Sequence, residues 1–158
     1  MTKVDDIIHS LDLFKSLSKE QCHKILGVAE LVRVDAGHVL FREGDVGDSV
    51  FIVVEGRIRI TKNVSGFGEE LLATLESGSY FGEMAFFDDE TRSADALAAG
   101  PGSLLRIGKD KLEALLLSDK DLAHELLWNF IHTLSRRLRE TNERLRSYFA
   151  FSGGGNFK

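Results

Sequence analysis

The chain has 158 residues, of which 43% are hydrophobic and 28% charged, with a single proline and a formal net charge of −5. That is the profile of one globular domain with a real core, and it excludes a disordered or fibrous chain and a surface made to attract a polyanion such as DNA. Cys22 is the only cysteine, so internal disulfides and metal clusters that need several thiolates are excluded as well.

The opening residues, Met1-Thr-Lys-Val-Asp-Asp6, carry no apolar signal core, and no later run approaches the roughly 18 apolar residues of a membrane span. A cytoplasmic protein without a membrane span is the expectation. The first segment reads as short helices: Ser18 and Gln21 have the spacing of a capping box, and Gly27 after Ile25 and Leu26 reads as a helix stop.

From about residue 30 to 107 the texture changes to short strand-like segments: Leu31 to Val34, Val39 to Phe41, Val50 to Val54, Arg57 to Ile60, Leu71 to Leu75 and Leu104 to Ile107. Isoleucines at 58 and 60 alternate with arginines at 57 and 59, the period of a half-buried strand. Glycine turns punctuate the segments at 37, 44, 47, 56, 66, 68, 78, 100 and 102. Many short strands with closely spaced turns predict a compact antiparallel barrel or roll.

After Gly108 a short helix is predicted over Lys109 to Leu117. A second, starting near Ser118 with Asp121 three residues on, runs without a breaker to about Phe149, roughly 45 Å at 1.5 Å per residue. Residues 150–158, with three successive glycines, read as a flexible tail. Along the long helix Leu127, Ile131, Leu134, Leu138, Thr141, Leu145 and Tyr148 follow each other at alternating spacings of four and three, the seam of a two-stranded coiled coil. Leu122, Leu126 and Phe130 form a second stripe that would pack back on the roll. One narrow helix cannot easily bury both, so a homodimer through this helix is expected.

The chemistry concentrates in Phe81-Gly-Glu-Met-Ala-Phe-Phe-Asp-Asp-Glu-Thr-Arg-Ser-Ala94. Gly82 lets backbone approach a ligand, and Glu83, Met84 and Ala85 can open one helical turn whose N–H groups suit an oxyanion. Arg92 supplies a permanent cation with a fork of donors for phosphate, while Glu83, acceptor-only, suits a sugar hydroxyl. A phosphorylated sugar satisfies all of them.

This stretch resembles the phosphate-binding cassette of the cyclic-nucleotide-binding domain family. The glycine turns of Ala36 to Asp45 and Ser49 to Gly56 match that family's roll, and the resemblance covers about residues 11 to 149. It implies a mainly β fold with flanking α: an antiparallel β-roll of the double-stranded β-helix or jelly-roll type, with short N-terminal helices and a long C-terminal helix. The domain would span 1–149, with the roll at about 30–107 and the helices at about 109–149.

It further implies that Glu83 meets the ribose 2′-hydroxyl and Arg92 the cyclic phosphate, with Phe81, Gly82, Met84, Ala85, Ser93 and Ala94 completing the cradle. The segment Arg136 to Arg144 is similar to the dimer helix of the catabolite activator protein, which places Thr141 and Asn142 near the base. The ligand expected is cyclic AMP, with cyclic GMP as the alternative, and no cofactor or metal is expected. Phe86 and Phe87, and the acidic run Asp88 to Glu90, depart from the family pattern.

The five histidines, at 9, 23, 38, 124 and 132, are scattered and read as core or surface residues rather than haem ligands. The chain shows no nucleophile triad or metal-ligand spacing, so an enzyme is not expected. Too few residues follow the long helix for a recognition helix, so direct DNA binding is not expected; the output would pass to an effector protein. The competing reading is a protein that keeps the roll, has lost or changed its ligand, and acts as a dimeric interaction module.

Overall fold

The five-residue apolar run Val50 to Val54 is buried throughout, because it faces packed layers on both sides. The computed structural model describes residues 3–152 in backbone and, apart from 3–5, 85, 86 and 152, in side chain. In chain order the elements are α1 (Lys3–Ser10), α2 (Lys19–Val28), β1 (Ala29–Val34), β2 (Val39–Phe41), β3 (Ser49–Glu55), β4 (Arg57–Val64), β5 (Gly68–Glu76), β6 (Tyr80–Phe81), α3 (Met84–Phe87), β7 (Asp95–Ala98), β8 (Gly102–Gly108), α4 (Lys109–Ser118) and α5 (Lys120–Ser152). The strands form two four-stranded sheets of order β1-β8-β3-β6 and β2-β7-β4-β5, antiparallel at every ladder. Antiparallel sheets with short N-terminal helices and a long C-terminal helix are the architecture expected from the sequence.

Strand β3 sits where the two cores meet. Val50, Ile52 and Val54 point into a cluster with Ile8, Phe14, Ile25, Leu112, Leu122, Leu126 and Phe130, between the first sheet and the helices. Phe51 and Val53 point the other way, with Val34, Ile58, Phe81, Ala96 and Leu104, between the sheets. Ile58 and the exposed Arg57 and Arg59 keep the expected alternation. The turn into β4 needs glycine: Gly56 has φ +90°, and a Cβ there would lie 2.8 Å from the Pro101 carbonyl oxygen.

The capping box of α2 is formed as expected, with the Ser18 and Gln21 side chains bonded reciprocally to each other's backbone N–H. Gly27, however, does not stop the helix. It lies inside α2, and Ala29 turns directly into β1 with extended dihedrals, so no left-handed terminator is required.

The start of α5 also differs. The Ser118 hydroxyl donates to the Leu115 carbonyl and finishes α4, while Asp119 Oδ1 accepts from the Leu122 N–H at 3.0 Å and caps α5. The second apolar stripe, Leu122, Leu126 and Phe130, is buried against the roll. Of the expected tail, 150–152 continue α5, and 153–158 lie outside the described residues.

Candidate functional site

Between β6 and β7 the chain leaves the sheets, makes the single turn of α3 and returns, and this excursion carries the cassette. Gly82 has φ +81°, and a Cβ there would fall 2.6 Å from Arg92 Nη1, so glycine is what admits the guanidinium. Nη1 donates to the Gly82 carbonyl at 3.0 Å and Nη2 to the Ser49 carbonyl at 2.8 Å. The Arg92 guanidinium carbon lies 4.1 Å from the centre of the Phe41 ring.

Arg92 is only 3% exposed, and its Nε–H has no partner. Burial pulls its pKa below the ordinary arginine value, and Asp48, 3.6 Å from Nη2, opposes that shift. The side chain stays a cation, held in place with donor capacity unspent.

Asp48 and Ser49 form the support behind Arg92. The Ser49 hydroxyl donates to Asp48 Oδ1 at 2.7 Å, and Arg106 Nη2 donates to Asp48 Oδ2 at 3.0 Å. The Ser49 bond, followed by the charges of Arg106 and Arg92, holds the Asp48 carboxyl below the usual carboxylate range.

Glu83 is 5% exposed and begins α3 without its side chain capping that turn. Its carboxylate instead accepts a charged hydrogen bond from Arg137 of α5, and the Arg137 guanidinium also lies over the Tyr80 ring at 4.7 Å. The cassette and the long helix are thus tied by an ion pair, and by the stacked rings of Phe87 and Phe130, whose centres are 3.8 Å apart.

These groups border an open cleft of about 360 Å³. Its apolar wall is Phe41, Ile60, Ala73, Leu75 and Phe81; its polar wall is Glu83, Arg92, Ser93, Arg137, Glu140, Thr141 and Arg144. The pairing of one apolar wall with a few convergent polar groups is that of a small-molecule site. A larger depression of about 490 Å³ near Asp48 and Lys109 is lined mainly by charged and small residues, and its charges pair with one another, as in Lys111–Glu30 and Arg106–Asp48. It offers no comparable apolar wall for a ring.

Of the residues singled out in the sequence, Phe81, Gly82, Glu83, Met84, Arg92, Ser93, Ala94 and Thr141 all border the 360 Å³ cleft. Ala85 follows Met84 in α3, and its side chain lies outside the described residues. Asn142 is exposed and is not brought to the cleft; one residue past Thr141, it is turned by about 100° around the helix. Thr141 Oγ1 donates to the Arg137 carbonyl at 2.9 Å, which leaves its oxygen to accept.

Sequence reasoning missed Arg137, Asp48 and Ser49. Arg137 had a signal, since four residues before Thr141 is the same helix face. Asp48 and Ser49 read only as a turn and a strand start.

The β-roll, the cassette excursion and the cleft between roll and helix together define a domain of the cyclic-nucleotide-binding type. Residues 31–119 match the family model described as "Cyclic nucleotide-binding domain", and the chain belongs to that family.

Among curated relatives, the chain is 34% identical over 128 residues to "cGMP-dependent protein kinase, isozyme 1" of Drosophila melanogaster, covering 76% of this chain and 17% of the kinase. It is 25% identical over 142 residues to a "CRP-like cAMP-activated global transcriptional regulator" of Mycobacterium tuberculosis, covering 90% of this chain and 62% of the regulator. A solved cyclic nucleotide-binding domain from Methylobacillus flagellatus superposes with a TM-score of 0.81 at 25% identity, over 92% of this chain and 82% of that one. The N-terminal domain of a transcriptional regulator from Streptomyces coelicolor A3(2) superposes at 0.76 with 30% identity, over 89% and 95%. No described helix is long and apolar enough to cross a membrane.

Proposed function

We propose that this chain is a regulatory sensor for a 3′,5′-cyclic purine nucleotide, cyclic AMP or cyclic GMP, held with its phosphate at Arg92 and Ser93, its ribose at Glu83 and its base against α5. The observation that carries the reading is the buried guanidinium of Arg92, which keeps an unpartnered N–H and borders the same open cleft as the buried carboxylate of Glu83. A cleft that brings one fixed cation and one fixed acceptor to its polar wall, with an apolar wall beside them, fits an anion joined to a hydroxylated ring. The relatives, a cGMP-dependent kinase and a cAMP-activated regulator, divide between the two nucleotides and support the class without choosing the base.

The signal would leave through α5. Glu83 accepts from Arg137, so a ribose hydroxyl that claims Glu83 changes what holds the helix. A ligand that prefers one helix position over another shifts the population by that preference.

The helix also presents Leu127, Ile131, Leu134, Leu138, Leu145 and Tyr148 to solvent, between 39% and 71% exposed. This apolar row is large for a monomer surface and matches the heptad seam, so the sensor is read as a homodimer through α5. The protein is read as a binding module and not an enzyme.

The test is calorimetric titration of the intact chain with cyclic AMP and cyclic GMP, followed by recovery of the nucleotide. Saturable binding of at least one, with the nucleotide returned intact, is expected; no heat with either would overturn the reading.

A further inference from the structure

Resting on the cyclic-nucleotide reading above, the identity of the base can be argued from the wall that α5 gives to the cleft. With phosphate at Arg92 and ribose at Glu83, the remaining part of the ligand lies along Glu140, Thr141 and Arg144, which border the same cleft. These side chains come from one side of the helix: 140 and 144 are about 40° apart around the axis and about 6 Å apart along it. Opposite them, Ile60, Ala73 and Leu75 offer an apolar surface for the face of a purine ring.

The two purines present different edges. Guanine has two neighbouring donors, N1–H and the 2-amino group, followed by two neighbouring acceptors, O6 and N7. Adenine has an acceptor at N1, a donor at the 6-amino group and an acceptor at N7. A carboxylate only accepts, and a guanidinium only donates.

Glu140 beside Arg144 therefore complements guanine at both ends: the carboxylate takes the paired donors, and the guanidinium takes O6 and N7. Against adenine in the same pose the carboxylate faces the N1 lone pair and a C2–H, and the guanidinium faces the 6-amino donor beside the N7 acceptor. Thr141 does not discriminate, because its proton is spent on the Arg137 carbonyl and its oxygen can accept from either amino group. The resemblance to the dimer helix of the catabolite activator protein implies cyclic AMP, with cyclic GMP as the alternative; the whole wall favours guanine.

Glu140 is in a state to take up this role. Its side chain is 56% exposed, and Arg136 approaches it at only 3.9 Å, a loose surface pair that a bound base would displace at small cost. We propose that Glu140 and Arg144 read the base and give the site a preference for cyclic GMP over cyclic AMP.

The experiment is calorimetric titration of the full chain and of Glu140→Ala and Arg144→Ala with cyclic GMP, cyclic AMP and cyclic IMP, the last keeping N1–H and O6 but lacking the 2-amino group. The wild type should bind cyclic GMP at least about tenfold more tightly than cyclic AMP, with cyclic IMP between them. Glu140→Ala should weaken cyclic GMP about tenfold, bring it level with cyclic IMP and leave cyclic AMP within about twofold. Arg144→Ala should weaken cyclic GMP and cyclic IMP alike.

Both substitutions fall on the exposed part of α5, and retained binding of cyclic AMP reports that each variant is folded. Tighter wild-type binding of cyclic AMP, or equal losses for every nucleotide in both variants, would overturn the base assignment while leaving the cyclic-nucleotide reading intact. Absence of binding by all three would overturn that reading itself, and this inference with it.

Discussion

The cassette and the long helix solve opposite problems. In the cassette the two decisive side chains are almost fully buried, Glu83 at 5% and Arg92 at 3% exposed, and each is fixed by partners from other elements. From Arg139 onward every described side chain of α5 is exposed, including Leu145, Tyr148 and Phe149. The first region is pre-organised, so little ordering cost remains when a phosphate arrives. Near the cleft the second is held to the cassette by Arg137 and Phe130, and to the segment between α1 and α2 by the Arg136–Asp12 pair. On the proposed function, the phosphate and ribose contacts would be built into the roll and the response into the helix.

The largest expected effect attacks the pre-organised side. Arg92→Ala should weaken cyclic nucleotide binding by about 2–5 kcal/mol, as when one partner of a buried charge pair is lost, with thermal unfolding still cooperative. Titration calorimetry with a melting control checks it. If the variant bound normally, the division of labour would be wrong at its root.

The reverse attack is on the helix. Leu134→Glu combined with Leu138→Glu should abolish the proposed homodimer in sedimentation, because carboxylates facing one another across a dry seam are strongly unfavourable. The phosphate and ribose contacts should survive, with affinity reduced by less than in Arg92→Ala. A double mutant that stays dimeric would move the interface off this face.

A third, smaller effect sits where the regions meet: Thr141→Ala should cost about 1 kcal/mol of affinity, the worth of one hydrogen bond, with no change in oligomer size.

These contrasts also explain what could be read from the sequence. Alternation at Arg57 to Ile60 and the apolar run of Val50 to Val54 reported their strands directly, and the cassette stretch announced the approach of Arg92 to Gly82. Strand β7 gave little signal, since Asp95-Ala-Leu-Ala98 has no β-branched residue and forms by pairing with β2 and β4 on either side. The hairpin of β4 and β5 extends to Val64 and Gly68 through Lys62, Asn63, Glu69 and Glu70, polar residues that read as loop but complete a two-stranded ribbon. Asp48 and Ser49 reach Arg92 across more than 40 positions of chain, and no local spacing encodes such a contact.

The smallest expected effect tests that hidden support. The Asp48 carboxyl is held below its ordinary value, so its contribution to stability is present above the unfolded carboxylate value of about 3.9 and is lost as pH falls through the lower folded value. Asp48→Asn should therefore be slightly less stable than wild type at pH 7, and the gap should close in more acidic solution. Denaturation midpoints measured across that range check the sign. A gap that widened on acidification would remove Asp48 from the support of Arg92.

The link between the regions is most directly tested by hydrogen exchange on the intact chain with and without saturating cyclic nucleotide. Slower exchange is expected in two separated segments at once, the cassette from Phe81 to Ala94 and the helix from Arg137 to Arg144. Protection confined to the cassette, with the helix unchanged, would contradict it.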